Sequence, residues 1–289
     1  MTDESPPLIE HFATLAPHYD VVLCDVWGVV HNGVRAFTPA CEALTRFRQS
    51  GGTVILLTNA PRQNDVVIGF LDKLKVPRDA YDGLVSSGDV ARAVIEARRA
   101  DTVFHIGPER DHPVFGELRV AFAPVAEADY VVCSGLFDDT SETPENYREL
   151  LTTLRERELL MLCANPDLVV ERGHELIYCA GAIAELYRSM GGDVLYAGKP
   201  YRPIYEQALR GAAALRGEEV RRERVLAIGD AVRTDLAGAA AFGVDCLFVA
   251  AGIHAAEMGG RDSIDHDAAA AIFAEAGVLP KAVTHRLTW

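Results

Sequence analysis

The chain has 289 residues, 49% of them hydrophobic and 24% charged, and its 42 Asp and Glu against 28 Lys and Arg give a formal net charge of −14. That length supports roughly two domains or one large α/β unit, and the ample apolar content excludes a disordered chain. The acidic balance, with a pI near 5.1, repels phosphate backbones and anionic lipid, so neither nucleic acid nor a membrane is expected as a partner.

In chain order, the opening segment MTDESPPLIEHFATLAPHYD is acidic and lacks a basic stretch followed by an apolar one, so no secretory signal is expected. Val21-Val22-Leu23-Cys24 then runs into Asp25, and Thr53 to Leu57 runs into Thr58-Asn59. A middle group follows: Thr102 to Ile106 before Gly107-Pro108, Tyr130 to Cys133 before Ser134-Gly135, and Leu159 to Cys163 before Ala164-Asn165-Pro166-Asp167. Between the last two, Thr143-Pro144-Glu145 reads as the start of a helix over Asn146 to Glu158, with Pro in its first turn. Further on, Val194-Leu195-Tyr196 runs into Gly198-Lys199, and Val225 to Ile228 runs into Gly229-Asp230. The longest weakly charged stretch, Leu236 to Met258, is broken by Gly238, Gly243, Asp245, Gly252 and His254, and reads as helix, turn and strand rather than a membrane span.

Short continuous apolar runs separated by amphipathic segments predict parallel strands covered by helices on both faces. The predicted architecture is a doubly wound parallel α/β core made of residues 1–83 and 193–289, with an inserted α/β subdomain over 84–192 and hinges near Gly83 and Gly191-Gly192. The six cysteines, Cys24, Cys41, Cys133, Cys163, Cys179 and Cys246, form no CxxC pair and sit mostly in apolar runs, which predicts buried reduced thiols in a cytoplasmic protein. His105, His112, His174, His254, His266 and His285 show no zinc-ligand spacing, and no GxGxxG or GxxxxGK[ST] follows a strand. Tyr178, Tyr187, Tyr196, Tyr201 and Tyr205 read as packing residues, and Arg155, Arg157, Arg221, Arg222 and Arg224 as a solvated face.

In open α/β sheets, ligands bind beyond the carboxyl ends of the strands, which predicts that Asp25, Thr58-Asn59, Gly198-Lys199 and Gly229-Asp230 converge on one crevice. Each taken singly is an ordinary turn or cap residue. Their joint order, Asp25-Val26-Trp27-Gly28-Val29, Thr58-Asn59, Gly198-Lys199-Pro200 and Gly229-Asp230 with Thr234-Asp235, resembles the haloacid dehalogenase (HAD) superfamily. An insert between Thr58 and Lys199 is similar to class IIA, the NagD and p-nitrophenylphosphatase-like enzymes. Gly28-Val29-Val30-His31-Asn32-Gly33, Ser86-Ser87-Gly88-Asp89 and Ala164-Asn165-Pro166-Asp167 add to the likeness.

That resemblance implies a Mg²⁺-dependent hydrolase of a small phosphorylated metabolite, with sugar phosphates among the candidates, in which the insert acts as a cap that reads the substrate. Asp25 would be the nucleophile, with Lys199 the second catalytic residue. Thr58, Asn59, Trp27 and Gly28 would bind substrate. Asp25, the main-chain oxygen of Trp27 and Asp230 would hold the metal, with Asp235 behind them. A homodimer is compatible with this reading. Family phosphatases carry a second Asp where this chain has Trp27, and that residue has no acid or base function. Three readings follow: a phosphatase whose substrate needs little protonation or that uses another acid, with His31 the candidate; a dehalogenase-like hydrolase, against which the acidic Asp230 and Asp235 pattern speaks; or a non-catalytic phosphometabolite-binding protein.

Overall fold

The computed structural model describes residues 6–172, 175–260 and 263–289. His174 and the first five residues of the acidic N-terminal segment lie outside them. In chain order the strands are β1 (Val21–Asp25), β2 (Thr53–Thr58), β3 (Gly83–Ser86), β4 (Thr102–Ile106), β5 (Ala121–Phe122), β6 (Tyr130–Cys133), β7 (Met161–Cys163), β8 (Val169–Arg172), β9 (Glu175–Tyr178), β10 (Val194–Tyr196), β11 (Val225–Gly229), β12 (Asp245–Val249) and β13 (Ala282–Thr284). The helices are α1 (Thr38–Gln49), α2 (Asn64–Lys73), α3 (Ser87–Ala97), α4 (Arg148–Glu156), α5 (Ala180–Ser189), α6 (Arg202–Arg216), α7 (Ala237–Phe242) and α8 (His266–Ala276).

The chain divides into two compact units, one of residues 1–58, 68–85 and 205–289, the other of residues 59–67 and 86–204. The first, the core unit, is built on a six-stranded sheet in the order β13-β12-β11-β1-β2-β3. β1 pairs in parallel with both β2 and β11, and β12 in parallel with β11 and β13. Every residue of β1, β2 and β11 is buried, as expected of interior strands covered on both faces. α1 turns Ala40, Cys41, Ala43, Leu44 and Phe47 inward, and Phe47 meets the ring of Phe12 at 5.4 Å. The chain lays down β2 and β3 on one side of β1 and the later strands on the other, so strand order reverses between β1 and β11. A reversal of this kind opens a crevice at the carboxyl ends of the two strands.

The second unit holds a five-stranded sheet in the order β10-β7-β6-β4-β5, parallel at every pairing, and an antiparallel β8-β9 hairpin. Its core gathers Tyr147, Leu151 and Leu154 beside Ile183 and Tyr187 of α5. The helix expected over Asn146 to Glu158 is present as a 3₁₀ turn, Pro144–Tyr147, leading into α4. The Thr143 amide and hydroxyl both donate to the Asn146 side-chain oxygen, at 2.7 and 3.0 Å. One strand is not where the sequence places it. β10 pairs with β7, Val194 against Met161 through Tyr196 against Cys163, and so belongs to this sheet instead of the six-stranded one. Leu195 is exposed, the mark of a short edge strand, whereas the core needs strands buried on both faces.

All six cysteines are buried and none forms a disulfide, as expected. Among the described residues, no helix is long and apolar enough to cross a membrane.

Candidate active site

The reversal between β1 and β11 brings together residues far apart in sequence. Asp25 ends β1, and Asp230 directly follows β11. Asp235 lies in a π-helical turn, Val232–Leu236, that leads into α7, a local widening often found at functional sites. Asp25, Asp230 and Asp235 are all buried and each offers a carboxylate oxygen within 4.8 Å of the others. Three like charges this close repel strongly unless a cation or a proton intervenes.

The surrounding backbone is shaped to the carboxylates. Ile253 N–H donates to Asp230 Oδ2 at 2.8 Å, and Ala231 N–H donates to Asp235 Oδ2 at 3.2 Å. Gly28 adopts φ +87°, and a Cβ there or on Gly252 would fall 2.0 Å from Asp230 Oδ2. A Cβ on Gly229 would fall 2.1 Å from Asp235 Cγ. Only glycine admits this approach. Such an all-oxygen, buried, preshaped donor set suits a hard divalent cation. The sequence reading missed the Gly252-Ile253 turn, whose signal was a run of small residues, Ala250-Ala251-Gly252, directly after β12.

The loop after Asp25 folds on itself. Val30 and His31 N–H both reach Val26 O, at 2.9 and 3.2 Å, and Gly28 N–H donates to His31 O at 2.8 Å. The Trp27 indole is half-buried and meets the His31 ring edge-on at 5.0 Å and 73°. A Cβ on Gly33 would lie 2.7 Å from that indole. Geometry gives His31, the candidate for another acid, a structural role. The residue is 2% exposed, its Nδ1 accepts from Gly33 N–H at 2.9 Å, and its ring packs edge-on against Phe70 at 5.6 Å. Burial lowers its pKa to about 4, so it is neutral at physiological pH.

Thr58 ends β2 in the core unit and is buried, while Asn59 and Lys199 belong to the second unit. There the Asn59 amide clamps the Lys199 backbone from both sides: its Oδ1 accepts Lys199 N–H at 2.7 Å, and its Nδ2 donates to Lys199 O at 3.1 Å. The same Nδ2 donates to Asp167 Oδ1 at 2.9 Å, tying in the Asn165-Pro166-Asp167 turn. A Cβ on Gly198 would sit 2.3 Å from Asn59 Oδ1, so the clamp requires glycine before the lysine. The expectation for Asn59, substrate binding, does not include this side-chain hold on Lys199.

Residues 22–120 match a model of the haloacid dehalogenase-like hydrolases, and residues 196–276 match a HAD-hydrolase-like model. A haloacid dehalogenase-like hydrolase from Brucella suis 1330 is 47% identical, aligned over 96% of this chain and 99% of that one, with a TM-score of 0.86. The fold is also that of a 4-nitrophenylphosphatase from Thermotoga maritima, at 20% identity, 94% and 96% coverage and a TM-score of 0.68. A glycerol phosphate phosphatase from Mycobacterium tuberculosis, solved with magnesium, aligns at 23% identity over 94% of this chain and 76% of that one, with a TM-score of 0.68. Comparison with curated proteins finds no match. Nearly half of the aligned positions agree with the Brucella hydrolase across almost the full length of both chains, and the chain belongs to the haloacid dehalogenase-like hydrolase family.

Proposed function

We propose that this protein hydrolyses the phosphomonoester of a small metabolite, with Mg²⁺ as cofactor and an aspartyl-phosphate on Asp25 as intermediate. The observation that carries the reading is the buried cluster of Asp25, Asp230 and Asp235 at the strand-order reversal. Asp25 and Asp230, with the main-chain oxygen of Trp27, would hold the ion, and Asp235 would orient its surroundings from behind. Bound there, Mg²⁺ supplies positive charge against the oxygens of the transferring phosphoryl group. A carboxylate oxygen of Asp25 attacks phosphorus, the bond to the leaving oxygen breaks, and water then cleaves the phosphoryl-aspartate to restore the carboxylate. The Thr58 hydroxyl and Asn59 N–H bind phosphoryl oxygens, Gly28 allows close approach, and Lys199 neutralises the group, as the resemblance implies. The names of the Thermotoga and Mycobacterium proteins, both phosphatases, support the same chemistry.

The test is a panel of phosphate esters assayed with Mg²⁺ and again after chelation. We expect turnover with Mg²⁺ that chelation removes and Mg²⁺ restores. Binding of phosphorylated metabolites with no turnover of any ester would favour a binding protein instead.

A further inference from the structure

Breaking a phosphate ester sends an electron pair out with the leaving oxygen. An alkoxide needs a proton to leave at neutral pH, whereas a phenolate, an enolate or a carboxylate leaves unaided. In the core unit, the loop that follows Asp25 offers no such proton. Trp27 can donate a hydrogen bond through its indole N–H but has no acid function. Its ring is held by His31 on one side and by the bare backbone of Gly33 on another, so it occupies its place firmly. His31 is turned into the protein, with Nδ1 taken by the Gly33 amide and the ring edge-on to Phe70. His254, in the turn beside Asp230, accepts from Val232 N–H through Nε2 and pairs with Glu257 through Nδ1. Asp230 and Asp235 lie in the carboxylate cluster that would hold the cation.

We infer that the substrates are phosphate compounds whose leaving group is itself acidic, namely aryl, enol or acyl phosphates, and that phosphorylated Asp25 accumulates during turnover. The inference rests on the phosphatase reading and narrows it. In the first step the Asp25 oxygen bonds to phosphorus, and the leaving oxygen departs with its electron pair as an anion. In the second, a water oxygen bonds to phosphorus, the pair of the broken bond returns to Asp25, and the water's proton passes to solvent. A residue able to protonate a leaving group would also deprotonate that water, so a loop that offers none slows the second step as well.

The experiment uses the wild-type protein with Mg²⁺ and a series of aryl phosphates of graded phenol pKa, together with acetyl phosphate and glycerol 1-phosphate. We expect kcat/KM to fall roughly three- to tenfold per unit of leaving-group pKa, as for an unassisted departure. 4-Nitrophenyl and acetyl phosphate should exceed glycerol phosphate by about a hundredfold or more. Rapid mixing should show a burst of about one nitrophenolate per active site before the steady state. Trp27→Asp should raise the glycerol phosphate rate most, flatten the series and abolish the burst. If that variant does not fold, the wild-type series and burst decide alone. Comparable rates for alkyl and aryl esters without a burst would overturn this inference and leave the phosphatase standing. Hydrolysis of none of these compounds would overturn both.

Discussion

The two units solve the same topological problem with opposite chemistry. Each is an open sheet whose strand order reverses once, between β1 and β11 in the core unit and between β4 and β6 in the other. At the core reversal three carboxylates meet, lined by Gly28, Gly229 and Gly252. At the other, the residues complement one another. His105 Nε2 meets Ser134 Oγ at 2.9 Å, and buried Asp111 accepts from Arg62 Nε at 3.3 Å. Desolvation, helped by neighbouring His112, lowers the His105 pKa to about 4, so that ring is neutral and partnered. Topology makes a crevice in both places, but among the described residues the core gathers three carboxylates of like charge there, a donor set suited to a cation.

The harshest test of this contrast removes the nucleophile. Asp25→Asn is nearly isosteric, and it should lower turnover by about a thousandfold or more while circular dichroism stays that of wild type. Residual activity above a tenth of wild type in folded protein would exclude Asp25 as nucleophile.

The carboxylate cluster itself can be titrated with metal. Mg²⁺ at a hundred times its Kd adds about 2.7 kcal/mol to the unit that binds it, several degrees of melting temperature for a domain of this size. Asp230→Ala should lose most of that rise. Calorimetry that detects no Mg²⁺ binding to wild type would remove the cation site.

A third experiment probes the clamp on Lys199. Asn59→Asp keeps an acceptor for the Lys199 amide but places a carboxylate against the Lys199 carbonyl, and should cut kcat about ten- to a hundredfold and weaken inhibition by inorganic phosphate. Asp167→Asn retains an acceptor for Asn59 Nδ2 and should stay within about threefold of wild type. Equal losses in the two variants would show that the segment is merely structural.

The smallest effect concerns acid stability in the second unit. Burial holds the His105 pKa in the folded protein down to about 4, against an ordinary 6.5, so the unfolded chain binds its proton first. Its contribution is therefore whole above pH 6.5 and is lost as pH falls toward 4, on the order of 2 kcal/mol given its partial exposure. His105→Gln should lose less stability than wild type between pH 7 and 4.5 in urea unfolding. Parallel loss in both proteins would mean that the ring is not held neutral.

Much of this was legible in residue order. The apolar runs that end at Asp25, Thr58 and Gly229 are buried strands, and the helix after Thr143 starts where its cap predicts, because periodicity and capping act within a few residues. What tertiary structure decided depends on partners far away. Val194–Tyr196 satisfies any parallel sheet as a run of residues, and only pairing with Met161–Cys163 assigns it to the second unit. His31 reads as a loop histidine beside the nucleophile until Phe70 and Gly33 close over it. The Gly252-Ile253 turn is an ordinary strand exit until it meets Asp230. Asn59 reaches Lys199 across 140 residues, a separation at which a side chain's local neighbours carry no information about its partner. Local propensity determined which segments became strands and helices; burial and long-range hydrogen bonding decided which polar groups came together.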